Sequence, residues 1–322
     1  GWQVDVIPLF SDNYLQAFYS RQPRGVQVIA GYWRRLKALV WVKKYDLIWI
    51  EKEIFPFMPA LVERLLTKFG IPYIVDYDDA LFHRYDCHRS MLIRYFLGHK
   101  IDTVMRHATL VVAGNEYLAE RAQAAEARRV EIIPSVVDLS LYMVKQQANN
   151  PPLVIGWIGS PSSTHCLLDI TPIFESLKRD FNVHFVAVGA TEEVVRRLPI
   201  EVRRWSEENE VKSIQDFDIG IMPLEDSPWE RGKCGYKLIQ YMSCGLPVVA
   251  SPVGVNKQII DHGVNGFLAR DFYEWEQVLR DLLNDQELRR HMGTKGREKV
   301  EANYSLQVQA PRLEKLMRGV LG

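Results

Sequence analysis

The stretch ERGKCGYKLIQYMSCGLPVVA, residues 230–250, reads as three pieces in succession. First comes a loop in which Gly232 and Gly235 expose backbone N–H groups without side-chain obstruction. Arg231, Lys233 and Lys237 add cations at the same place. A helix is expected over residues 236–243, capped by Gly245 and stopped by Pro247, and a buried strand follows it. Loop, helix and strand in that order make one unit of a parallel α/β sheet. Glycine, clustered cations and a helix N-terminus together suit a diphosphate. On spacing alone, a solvated basic turn with a structural glycine is an equal reading.

Outward from this unit the same alternation runs through the chain. Short β-branched runs at residues 4–10, 47–53, 73–79, 110–115 and 130–134 are separated by helix-like stretches such as 56–69 and 116–125. The pattern stops in a polar segment, 138–152, which reads as a linker. A second series of runs then occupies 153–159, 183–189, 201–205, 219–224, 247–253 and 267–269. Residues 275–300 read as helices, and a last amphipathic stretch covers 305–317. The expectation is two doubly wound α/β domains, residues 1–140 and 150–304, with 305–322 as a C-terminal helix packing back towards the first domain. Ligands of such sheets collect at the carboxyl ends of strands, where helix N-termini point their free N–H groups. A central cleft between the domains is the place to look.

Composition narrows the function classes. The 40 Lys+Arg balance 40 Asp+Glu, against a nucleic-acid binder that works by bulk charge. Neutrality is uneven: residues 1–150 hold 19 cations and 16 acids (net +3), leaving 21 and 24 (net −3) for the rest. The four cysteines show no Cys-x-x-Cys or zinc spacing, which suits a reduced, cytoplasmic protein. No run approaches the roughly 18 apolar residues of a membrane span, and no signal peptide is visible.

The 230–250 stretch resembles the donor-binding region of retaining glycosyltransferases of family 4, which have Glu-x7-Glu followed by Ala-Met-Ala-x-Gly-x-Pro-Val-Val-Ala. Residues 254–268, GVNKQIIDHGVNGFL, resemble that family's Gly-x-x-Gly-Leu/Phe-Leu stretch. Residues 217–224 (FDIGIMPL) resemble its Ala-Asp-x-x-x-x-Pro-Ser strand, and residues 133–138 (IPSVVD) its Pro-Asn-Gly-Val-Asp. The resemblance implies the GT-B fold of two Rossmann-like domains. It also implies a nucleotide diphosphate sugar as substrate, with neither cofactor nor metal.

The departures are informative. The family's first glutamate falls on Gly232 and its second on Gln240. Gln240 is the candidate for the ribose, since its amide both donates and accepts. Glu230, two residues from the lost carboxylate, is the candidate for the sugar. The family's Arg and Lys after the first strand of the second domain are replaced by Gly159-Ser160-Pro161-Ser162. The diphosphate role then passes to Lys233 and Lys237, helped by Arg231, with Gly159, Ser160, Gly235 and Tyr236 completing the site.

In the first domain Asp76, Asp78 and Asp79 end an apolar strand, and such clustered carboxylates repel one another unless paired. A divalent cation, a cap or ion pair from Asp79 to Arg84, and substrate contact are the three readings. The resemblance favours substrate contact, with Asp78 and Asp79 joining Lys237 as catalytic candidates. His83 is a weaker neighbour. Glu51 and Glu53 end another strand and either reach the cleft or, the favoured reading, form exposed ion pairs; Asn115 is read as a helix N-cap.

The function the resemblance implies is retaining transfer of a sugar from a nucleotide diphosphate sugar to a glycan or lipid-linked acceptor, in polysaccharide or glycoconjugate synthesis. A nucleotide-sugar epimerase and a degenerate binding or partner subunit are the alternatives. Residues 13–45 hold seven cations, no acid, and Tyr32, Trp33 and Trp41. That basic aromatic helix either lies on the anionic inner face of a membrane or packs its apolar stripe on the sheet. Residues 1–7 read as the glycine and second strand of a Rossmann-like unit, so about 30 preceding residues are expected, carrying the first strand and its glycine loop.

Overall fold

In the computed structural model, residues 1–10, 14, 25–145, 151–192, 196 and 198–322 are described. Arg21, Arg24 and the linker residues 146–150 lie outside them.

Two parallel sheets build the molecule, and the fold is GT-B. The first has the order β1 (Ile48–Glu51), β2 (Tyr73–Tyr77), β3 (Leu110–Ala113), β4 (Val130–Ile132). Its central strands are apolar on both faces because both are covered. Tyr73, Val75 and Tyr77 of β2 face a cluster with Leu66 of α2 (Leu61–Lys68), Val104 of α3 (Lys100–His107) and Leu118 of α4 (Glu116–Ala124). The alternate residue Ile74 points the other way, with Leu110 and Val112, onto a helix from the far end of the chain.

The second sheet runs β7 (Ile200–Arg203), β6 (Val183–Val188), β5 (Leu153–Ile158), β8 (Ile219–Met222), β9 (Val248–Ala250), β10 (Gly266–Leu268). Chain order reverses between β5 and β8, so the loops leaving these two strands diverge and open a crevice at their carboxyl ends. One face packs on α5 (Thr171–Asp180) and α7 (Phe272–Asn284); the other packs on α6 (Tyr236–Ser243) and α8 (Gln286–Asn303). The last helix, α9 (Leu306–Leu321), lays Leu313, Leu316 and Met317 against the first sheet.

One strand expectation fails. Residues 4–10 form no strand, and Val4 and Val6 stand in solvent. Their neighbours' carbonyls are taken by another element: the helix α1 (Gly25–Val40) sends Arg34 to the carbonyls of Pro8 and Leu9, and Arg35 to that of Ile7. The helix expected at 56–69 starts five residues late, because Phe57 sits at φ +56, outside the helical region. Residues 138–145, read as linker, are tied to the second domain: Lys145 pairs with Asp218 at 2.7 Å and Tyr142 reaches Glu210.

Candidate functional site

Gly235, at φ +67, turns the 232–235 loop into α6, a conformation that favours glycine. At the second position of the helix, Lys237 lays its ammonium 4.6 Å over the ring of Trp157, a residue of β5 buried to 1% exposure. Cation and indole face attract one another. The arrangement needs Gly159: a Cβ there would lie 2.5 Å from the Trp157 ring and 2.8 Å from the Lys237 Nζ. The loop after β5 and the N-terminus of α6 therefore converge on one ammonium, on either side of the crevice.

Burial and the like charge of Lys233 push the Lys237 pKa down to about 8. Glu230 offsets the charge of Lys237, and Asp79 that of Lys233. Glu230 is buried, and its Oε2 lies 3.8 Å from the Lys233 ammonium with no hydrogen-bond partner. Burial raises its pKa, against the pull of Lys233 and Lys237. Asp79 approaches from the first domain, its pKa likewise raised by burial and lowered in part by Lys233. Asp76, behind it, is pushed up to about 6 by burial and by Asp78 and Glu51.

The loop is held to the first domain by contacts invisible in the sequence. Asn115 caps α4 by accepting from Leu118 N–H, and its Nδ2 also donates to the carbonyls of Gly232 and Lys233, each at 3.0 Å. The Cys234 thiol donates to the Asp78 carbonyl at 3.1 Å. A Cβ on Gly232 would lie 2.7 Å from the Ala80 nitrogen, so the loops touch backbone to side chain with no room to spare.

Several expected residues are elsewhere or otherwise engaged. Arg231 is paired with Asp226 at 2.6 Å and lines a separate cavity of about 330 Å³, shared with Tyr117 and Lys257, so it does not join Lys237. Gln240 is buried; its Nε2 donates to Glu210 at 2.6 Å and to Tyr142 at 3.2 Å. Glu210 also accepts from Trp205 at 2.8 Å, so the amide read as a ribose ligand anchors a side-chain network. The Ser160 hydroxyl meets Ser162 at 2.8 Å, and Tyr236 is half exposed. Asp78 is paired with Lys52 at 2.8 Å. Asp79 has no ion pair to Arg84, which lies instead 3.8 Å from Glu53.

Glu53, expected at the surface, is buried with Lys100 and accepts from Tyr85. His83 bonds Asp86 and the Tyr117 hydroxyl, both at 2.8 Å. With Cys87 these residues bring ligand atoms within 4.8 Å of one another, but an arginine, Arg121, already pairs with Asp86. Asn115 had a signal, a strand-end asparagine; Trp157 and Glu210 had none, since an apolar strand and a polar loop looked ordinary.

Residues 152–285 match the family described as Glycosyl transferases group 1. A 69-residue stretch is 33% identical to spore coat protein SA of Bacillus subtilis (strain 168), covering 20% of this chain and 18% of that protein. A 77-residue stretch is 34% identical to N-acetyl-alpha-D-glucosaminyl L-malate synthase of Bacillus anthracis, covering 23% and 20%. The matches thus span about a fifth of these relatives' lengths. Among solved structures, Anabaena Alr3699/HepE in complex with UDP and glucose superposes with a TM-score of 0.68 at 17% identity, over 88% of this chain and 81% of that one.

Proposed function

We propose that this chain is a retaining glycosyltransferase of family 4, transferring a sugar from a nucleotide diphosphate sugar to a glycan or lipid-linked acceptor. The observation that carries the reading is Lys237, a lysine held at a helix N-terminus over Trp157 beside the small residue Gly159. A partly desolvated ammonium whose pKa is already lowered gains most from an anion, and a diphosphate is the anion that the crevice of a doubly wound sheet receives. The match of residues 152–285 to Glycosyl transferases group 1 supports it, as does the superposition on a structure in complex with UDP and glucose.

In this reading Lys237 and Lys233 hold the diphosphate, with N–H groups of the Gly159 and Gly235 loops around it. Glu230 accepts from sugar hydroxyls through its unpartnered oxygen, and Asp79 faces sugar and acceptor from the other domain. The bond from sugar C1 to the diphosphate oxygen breaks as the bond from C1 to the acceptor oxygen forms on the same face. The acceptor's proton passes to the leaving diphosphate. The protein positions the reactants and stabilises the leaving charge, with no carboxylate pair and no metal required. A cytoplasmic setting follows from the substrate class; among the described residues no helix is long and apolar enough to cross a membrane.

The test is a thermal-shift screen of nucleotide sugars followed by NMR of the product's anomeric proton. Stabilisation by one donor and a product of unchanged anomeric configuration support the reading. Inversion overturns the retaining assignment, and stabilisation by no nucleotide overturns the whole.

A further inference from the structure

We propose that the first domain docks on an anionic lipid bilayer through the short helix Met91–Leu97 and the neighbouring Phe57. This helix is apolar on both sides. Ile93 and Leu97 pack inward on the core. Met91, Leu92, Tyr95 and Phe96 are 74%, 69%, 80% and 71% exposed. At about 100° per residue these four cover an outward arc of about 140°. A helix on an ordinary water-facing surface carries polar groups on that arc.

Phe57, itself exposed, stands beside His88, three residues before the helix, and is held there. Its ring lies 6.4 Å from that of His88 and 5.5 Å from that of Tyr85. Its N–H donates to the Tyr85 hydroxyl at 3.0 Å, and that hydroxyl donates in turn to the buried Glu53. A buried ion pair, Glu53 with Lys100, therefore fixes an exposed aromatic residue in left-handed backbone. Such strain persists only where its surroundings impose it.

Charge selects the occupant. Arg89 and Arg94 lie beside this face, both exposed, and neither pairs with a carboxylate among the described residues; Arg94 donates only to the carbonyls of His88 and Arg89. An aromatic and aliphatic face edged by arginines fits the headgroup layer of an anionic membrane, where rings and methylenes insert and cations meet phosphate.

The experiment is co-sedimentation of the full chain with phosphatidylcholine vesicles, with and without 30 mol% phosphatidylglycerol, for wild type, Leu92→Ser/Phe96→Ser and Phe57→Ser. Because the altered side chains are exposed, the thermal midpoint is expected to stay within a few degrees. Binding only to anionic vesicles, reduced at least tenfold by the double substitution and less by Phe57→Ser, supports the proposal. No vesicle binding overturns it, as does binding that the substitutions leave unchanged. A dimer in light scattering that the double substitution dissolves also overturns it, in favour of a second copy as the occupant.

Discussion

The side-chain amide of Asn115 lies 3.0 Å from the carbonyl oxygen of Gly232, 117 residues away in the other domain. One face of that amide caps α4 and the other fastens the loop that precedes Lys237. Asn115→Ser keeps an oxygen for the cap but loses the donors that bridge the domains. Stability should fall by about 1 kcal/mol for each bridging bond lost, while donor affinity drops several-fold. Asn115→Ala should lose the cap as well, about 1 kcal/mol. Urea unfolding of the two variants beside donor titration separates the roles; equal affinity in Asn115→Ser and wild type would mean the bridge does not shape the site.

In the resemblance to family 4 enzymes, their first glutamate falls on Gly232. The resemblance makes this look like a lost ligand, yet a Cβ there would lie 2.7 Å from the Ala80 nitrogen and 3.0 Å from its Cα. Gly232→Glu should therefore push the two loops apart. The expected result is a lower thermal midpoint and weaker donor binding, measured by calorimetry. A gain of turnover would show that the carboxylate is missed.

Glu230→Gln keeps the shape and removes the charge. If its unpartnered Oε2 accepts from a sugar hydroxyl, affinity for the nucleotide sugar should fall about tenfold, roughly 1.4 kcal/mol, a normal value for a bond to a charged acceptor. Affinity for the bare nucleoside diphosphate should not fall. Equal losses on both ligands would place Glu230 at the phosphates.

Lys237 gives a pH signature. Its folded pKa is about 8, below the roughly 10.4 of an unfolded lysine. Between these values the unfolded chain binds more protons than the folded one, so this group's contribution to stability rises with pH there. Diphosphate binding needs the charged form, so affinity should decline as pH rises through about 8. Binding measured in buffers of different ionisation heat at pH 8.5 should show proton uptake, absent in Lys237→Met.

The alternation of β-branched runs and helical patterns made ten strands legible, and residues 236–243 coincide with α6 because Gly235 and Gly245 bound that helix on both sides. Residues 4–10 misled because apolar alternation says nothing about which partner takes the carbonyls, and Arg34 and Arg35 took them. Within the proposed site, the nearness of Lys237, Lys233 and Glu230 to one another was legible beside the glycines, and the fold adds Asp79 from the other domain. The partners of Arg231 and Gln240 were not legible, because only the tertiary fold decides where Asp226 and Glu210 stand. Glu53 was misread for the same reason: nothing near it in sequence announces Lys100.

The central claim is that the crevice beside Trp157 receives a diphosphate on Lys237. Isothermal titration of the full chain at pH 7 with UDP, GDP, ADP and dTDP tests it directly, with Lys237→Met as the paired variant. At least one nucleoside diphosphate should bind wild type and lose at least tenfold in affinity in Lys237→Met, while the variant's thermal midpoint does not fall. Binding of equal strength to both proteins, or to neither, would contradict it.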